Sequence, residues 1–310
     1  MNWILLATAG QFLNAIVAVL DKYIVSDEKA LPRPFVYAFY SCLLTGFWVV
    51  IYFLGLIPFF AHIGMPTFQN VHSPSLQVVS MSFLSAYTFF GALVSMYDSL
   101  RETDASNVMP IIGTVSALSA FGMSYIFLDA KLTHGHIIGI IFISLGTLLV
   151  ARSLPGLRVG LHVLHSGVFF ALHYITMKGL FLQTSFDNGF FWSRISFVIF
   201  ALSLLMVPVY LDAIREQTKT TTKKTGYLVL VTKIIAGVSA FLILKATDWG
   251  EVSVVQALDG IRFVFILFIT VIFAHWLPAS ATDRDTRPQV FVRKFIFTIM
   301  ILAGFFMLFT

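Results

Sequence analysis

The sequence predicts an all-α integral membrane protein: ten transmembrane helices arranged as two inverted five-helix repeats. Three observations carry this expectation. The composition is 58% hydrophobic before glycine is counted and 11% charged. Soluble domains run at roughly 45–50% apolar with glycine included and about 25% charged. The apolar residues also fall in continuous stretches, and a bilayer core of about 30 Å takes roughly 20 apolar residues as helix. Finally, the stretches divide five and five about the middle of the 310-residue chain.

The ten stretches are 3–20, 35–57, 76–97, 107–128, 135–151, 160–182, 189–211, 227–247, 252–274 and 292–309. Several are rich in Phe, Val and Ile, but a membrane β-barrel would show segments of about ten residues alternating in polarity. The runs here are continuous, so the spans are expected to be helical. The first stretch has no basic leader, and the acidic Asp21 follows it instead of a small-residue cleavage site, so it reads as a retained helix. Connections this short leave no room for a soluble domain. A soluble enzyme, a disordered chain and a disulfide scaffold are all excluded. The single Cys42 cannot close an internal disulfide.

The net charge of +5 and pI near 9.3 do not imply nucleic acid, because the cations form no basic face of useful length. They follow membrane topology instead. Fourteen of the 20 Lys and Arg fall on the connections after the first, third, fifth, seventh and ninth spans. Lys131, Lys178 and Lys245 fall on the other side, while Arg194, Lys233 and Arg262 lie within spans. Cytoplasmic loops carry the excess of Lys and Arg, so both termini are expected outside and the uncharged 58–75 connection with them. The expected location is the plasma membrane, the inner membrane of a bacterial or archaeal cell.

The fifth span ends at Ala151 and the sixth begins at Gly160, so the expected repeats are 1–154 and 155–310. Five spans per repeat is an odd number, which forces the second copy to be inverted. Ala15, Lys22 and Phe35 recur as Ala171, Lys178 and Phe191, each 156 residues on. Ser106 and Ser253 open the fourth and ninth spans, and Gly146 and Gly304 sit within the fifth and tenth. Inverted repeats are characteristic of secondary transporters, which hold substrate between the halves near the midplane.

The stretch "SLRETDASNVMPIIGTVSALSAFGMSYIFLDAKLTHGHIIGIIFISLGTLLVARS" resembles the fourth-to-fifth-helix region of the EamA-like drug/metabolite transporters. Pro110 stands where that family has a proline at the start of the fourth helix, and Gly135, Gly139 and Gly146 match its glycine-spaced fifth helix. The second-half counterpart is "ATDWGEVSVVQALDGIRFVFILFITVIF". Two positions depart from the pattern: Asp129-Ala130-Lys131 replaces the usual Gly-Glu, and Gln256-Ala257-Leu258 stands opposite Pro110. The family's ten-helix members commonly keep both termini in the cytoplasm, and the charge count of this chain predicts the reverse. The resemblance implies carriage of a small molecule.

Ionisable groups within a bilayer are costly, so each is a candidate for function. Arg262 lies deep in the ninth span with Asp259 three residues earlier, on nearly the same face. The pair can neutralise itself and pack helices, or Arg262 can anchor an anionic substrate group, with Gln256 extending the polar face. The second reading is favoured. Arg194 is read either as cavity-lining or as an interface residue that snorkels or reaches Asp187, and Lys233 is expected to snorkel. Lys22 and Lys178 sit at helix ends, with a topological role or a gate and substrate contact both open. Gln11, Asn14, Ala15 and Ala18 share one small, polar face of the first helix, and His173, Tyr174 and Lys178 approach the end of the sixth. The expected substrate site is Arg262, Asp259, Gln256, Arg194, Asn14, Gln11, Tyr174 and Lys178. Asp259 and Asp98 are the candidates for proton coupling.

No metal or cofactor is expected. His162 and His173 share a face, but 11 residues at 1.5 Å each separate them by ~16 Å. There is no G-x-S-x-G elbow and no G-x-x-x-x-G-K-[ST] loop, so neither hydrolysis nor ATP-driven transport by this chain is implied. The sequence therefore predicts a secondary transporter of a small polar or anionic metabolite. A lipid-head-group flippase and a membrane-embedded enzyme or scaffold subunit are the alternatives.

Overall fold

The computed structural model describes residues 2–26, 33–62, 64–103, 105–150, 156–272 and 288–309. The described residues are helical almost throughout. In chain order the helices are α1 (Asn2–Ser26), α2 (Pro34–Gly46), α3 (Pro58–His62), α4 (Leu76–Glu102), α5 (Ala105–Phe127), α6 (His134–Val150), α7 (Leu157–Gln183) and α8 (Phe186–Leu204). They continue as α9 (Pro208–Thr220), α10 (Lys223–Trp249), α11 (Val252–Ala257), α12 (Ile261–Ile272) and α13 (Pro288–Met307). Several begin on side-chain caps: Ser75 accepts from the Val78 N–H, Ser185 from Asn188 and Thr222 from Thr225. Each satisfies one of the donors that a helix start leaves free.

Among the described residues, six helices are long and apolar enough to cross a membrane, or seven if the bent pair α8–α9 is one span. Every other predicted stretch is helical over its described part but shorter or interrupted. The second span continues past α2 as a 3₁₀ helix over Phe47–Leu56. The seventh was expected to run to 211, but it stops at Leu204. The chain bends by 96° and restarts at Pro208 as α9, which buries Ile214 and Gln217. Proline has no N–H to donate and its ring clashes with the carbonyl four residues back, so it kinks or ends a helix from within but is tolerated in a first turn, where Pro208 stands. The ninth span, expected to be continuous over 252–274, is interrupted by a 3₁₀ turn at Leu258–Gly260 between α11 and α12, and 273–274 lie outside the described residues.

The principal helix pairings cross the chain midpoint. α1 packs on α10, α4 on α7, α2 on α8, α5 on α11, and α6 on α13. The last pair crosses on glycines: a Cβ on Gly146 would stand 2.9 Å from Ile301, and one on Gly304 would stand 2.8 Å from Ile143. Removing side chains there lets the backbones approach, the usual device for helix association in lipid. Large apolar side chains such as Leu5, Phe12, Tyr125, Leu161 and Ile299 are exposed around the bundle, the surface a protein turns to lipid.

The described residues that flank the connections after the first, third, fifth and seventh spans meet at one end, the basic face. Arg33 pairs with Glu216 at 2.8 Å, and Arg158 lies 3.9 Å from Glu102. At the opposite face, the uncharged connection packs on the start of α8. The Asn70 amide donates to Asp187 at 2.7 Å, and Trp192 Nε1 donates to the His72 carbonyl at 2.9 Å.

Candidate functional site

A cavity of about 130 Å³ lies between the α1–α10 pair and the α4–α7 pair, with α2, α5 and α12 completing its wall. Its middle is built on the interrupted ninth span. The 3₁₀ turn brings Asp259 against α5 at Gly113, where a Cβ would lie 2.7 Å from Asp259 Oδ2. Arg262, one turn on, donates from one terminal nitrogen to that same Oδ2 at 2.7 Å. The guanidinium lies 5.4 Å from the Phe263 ring, and its Nε is buried with no hydrogen-bond partner among the described residues. Arg262 is thus paired through one terminal nitrogen, while its Nε is left over. Gln256 accepts from Ser116 Oγ at 3.0 Å, and the Asn14 amide donates to Gln11 at 3.4 Å.

Toward the basic face the cavity ends in a second charged group. Lys233 on α10 donates to Asp21 on α1 at 2.9 Å and to the Tyr97 hydroxyl at 3.0 Å. Its ammonium also lies 4.1 Å from the Tyr37 ring centroid. The Tyr37 and Tyr97 hydroxyls both donate to Asp21, and Ser41 lies 3.2 Å from Tyr97. Unlike the middle, this end is saturated: every oxygen of Asp21 and the ammonium of Lys233 have partners. Leu93, Met96, Met109 and Ile112 add apolar lining to the same cavity.

Of the residues expected at the site, Arg262, Asp259, Gln256, Asn14, Gln11 and Tyr174 line this one cavity. Three do not. Arg194 is fully buried in α8 between the Phe190 and Phe197 rings, 4.7 Å from each centroid, and donates from Nε to Ser193 at 3.3 Å. It neither snorkels nor reaches Asp187, because the rings one turn away on its own helix stabilise the cation in place. Lys178 holds the end of α10 through the Asp248 and Gly250 carbonyls. Asp98 is half-buried near the end of α4, outside the cavity lining.

Lys233 corrects the sequence reading outright: it is buried and ion-paired, not snorkelling. Asp21, Tyr97, Tyr37 and Ser41 were not singled out. Asp21 carried a signal, as the lone acid of the first apolar stretch's end, but nothing local named its partner 212 residues away.

The long apolar helices define an integral, multi-pass membrane protein, and the cavity places charged and amide side chains among them. Residues 1–152 match the model of the EamA-like transporter family, the family that the sequence resembles. The match ends beside the expected repeat boundary. A solved crystal structure is similar at 15% identity and a TM-score of 0.63, over 97% of this chain and 96% of that one. That likeness is one of fold. No curated protein matches the sequence.

Proposed function

We propose that this chain is a secondary transporter that moves a small polar or anionic metabolite by alternating access, with Arg262 binding the substrate's anionic group. The observation that carries it is the half-used guanidinium: Arg262 faces the cavity, bonds Asp259 through one nitrogen, and has a buried Nε without a partner. A buried donor left unmade costs about 1–3 kcal/mol. A carboxylate or phosphate in the cavity would satisfy it, and a planar guanidinium suits such groups through paired donors.

Ten spans in two inverted repeats, 1–154 and 155–310, are part of this reading. Exchanging the first five spans with the second five turns the α1–α10 pair into the α7–α4 pair. The same exchange leaves α2–α8, α5–α11 and α6–α13 in place. That pairing supports an internal two-fold axis in the membrane plane. The fourteen-to-three charge asymmetry supports a cytoplasmic basic face and outward termini in a plasma membrane. Proton coupling is assigned to Asp259, which faces the cavity, in preference to Asp98.

The experiment is counterflow in proteoliposomes with a panel of carboxylated and phosphorylated metabolites. Exchange of an anion by the wild type, lost in Arg262→Ala with the protein still monodisperse, is the expected result. Transbilayer movement of labelled lipid without metabolite exchange would replace the reading with a flippase, and turnover of a covalent bond would replace it with an enzyme.

A further inference from the structure

Lys22 and Lys178 make the same contact at opposite faces. Lys22, near the end of α1, donates to the Leu100 and Thr103 carbonyls at 2.7 and 3.1 Å, at the end of α4. Lys178, near the end of α7, donates to the Asp248 and Gly250 carbonyls at 2.9 and 3.0 Å, at the end of α10. Each ammonium thus sits on the negative end of a helix dipole, where it also satisfies carbonyls that have no partner within the helix. α1 and α4 run to the basic face, where Glu102 meets Arg158, and α7 starts there and ends at the other.

The two contacts join the same two bodies. α1 packs along α10 and α4 along α7, whereas α1 touches α4, and α7 touches α10, only thinly. The cavity lies between the pairs. For it to open to the basic face, α1 must leave α4, which breaks the Lys22 contact. For it to open to the opposite face, α7 must leave α10, which breaks the Lys178 contact.

We infer that Lys22 and Lys178 are the paired clamps of the transport cycle, each sealing one face of the cavity and released in turn. This deepens the alternating-access reading above and rests on it. The clamps differ in their support. Beside Lys22, the adjacent Asp21 also receives the Tyr97 hydroxyl of α4 at 3.3 Å, so the basic-face closure has a second tie. Release of Lys178 is therefore the easier of the two.

The test needs no substrate. In a Cys42→Ala background, Ala236→Cys places one thiol on the cavity wall, and an impermeant maleimide is added from one face at a time to oriented proteoliposomes. Lys178→Ala should speed labelling from the opposite face alone, and Lys22→Ala from the basic face alone, on the order of tenfold for each lost charge-assisted contact. Lys22→Arg and Lys178→Arg, which keep the cation, should stay near the parent rate. Where an alanine variant does not insert, the glutamine variant at that position takes its place. Equal acceleration from both faces, or none in either variant, would overturn the clamps. No metabolite exchange by the parent protein, with face-selective labelling preserved, would count against the transport reading and leave Lys22 and Lys178 as closures of the two faces only.

Discussion

Asp21 and Lys233 are 212 positions apart in the chain and 2.9 Å apart in space, joining α1 to α10 at the basic-face end of the cavity. Both side chains are almost fully buried, at 6% and 5% exposure. The pair is closed by two tyrosine hydroxyls, while Arg262 in the same cavity bonds Asp259 and keeps a buried Nε without a partner among the described residues. One charged pair therefore holds helices together, and the other is free to hold a ligand.

That contrast predicts different mutational behaviour. Lys233→Met leaves Asp21 as a buried charge without its ammonium, a change that typically costs 3–5 kcal/mol. Asp21→Asn strands Lys233 in the same way. The double variant Asp21→Asn with Lys233→Met should recover most of the loss, since removing both charges of a buried pair is often nearly neutral. Thermal unfolding of the purified protein in detergent measures all three. Additive losses in the double variant would count against the pair as a unit.

Gly113 is the position that lets Asp259 reach α5. Alanine there would bring a Cβ within 2.7 Å of the carboxylate, whereas a Cβ on Gly122 of the same helix meets nothing within 4 Å. Gly113→Ala should therefore displace Asp259 and lower metabolite exchange by on the order of tenfold, since misplacement near 1 Å can cost more than that. Gly122→Ala should leave exchange intact and stabilise slightly, by roughly 0.5–1 kcal/mol. Paired uptake and unfolding measurements on the two variants check the claim, and equal losses in both would refute it.

Much of the site was legible because the bilayer makes polar groups conspicuous. Gln11, Asn14, Gln256, Asp259 and Arg262 stand out in apolar stretches, and six of the stretches expected to span form helices long and apolar enough to do so and line the cavity. Depth along a helix was legible too; partnership was not. Lys233 lies far enough along its helix to be buried or to snorkel, and only the tertiary contact with Asp21 decides between them. Arg194 shows the reverse: Phe190 and Phe197 at spacings of four and three mark its aromatic shelter in the sequence itself. Pro208 likewise announces the end of the seventh span. No proline marks the break at Leu258–Gly260, where Gly260 alone hints at the turn that presents Asp259.

The orientation rests on charge. A cysteine at Thr221, on the connection between α9 and α10, should resist impermeant thiol reagents in intact cells once Cys42 is replaced. The reason is the bias of Lys and Arg toward cytoplasmic loops. Ready labelling would invert the topology to that usual among ten-helix relatives, without disturbing the helix packing.

The last prediction separates ligand binding from mere neutralisation at Arg262. A guanidinium deep in a bilayer costs at least ~2.5 kcal/mol on insertion scales, so it needs compensation, and Asp259 supplies only one bond of 2.7 Å. If an anionic substrate supplies the rest, Arg262→Ala should fold and insert but no longer show a ligand-induced rise in melting temperature, since a ligand that binds the folded state stabilises it by mass action. Arg262→Lys keeps the charge and loses the planar fork, so it should bind a carboxylate or phosphate weakly. If the pair serves structure alone, Arg262→Ala should instead lower stability, and Arg262→Ala with Asp259→Ala should restore it. Asp259→Asn adds the coupling test: gradient-driven accumulation should vanish while counterflow exchange persists, because intramembrane carboxylates commonly relay protons. A double variant that recovers stability together with full exchange would remove Arg262 from the binding site.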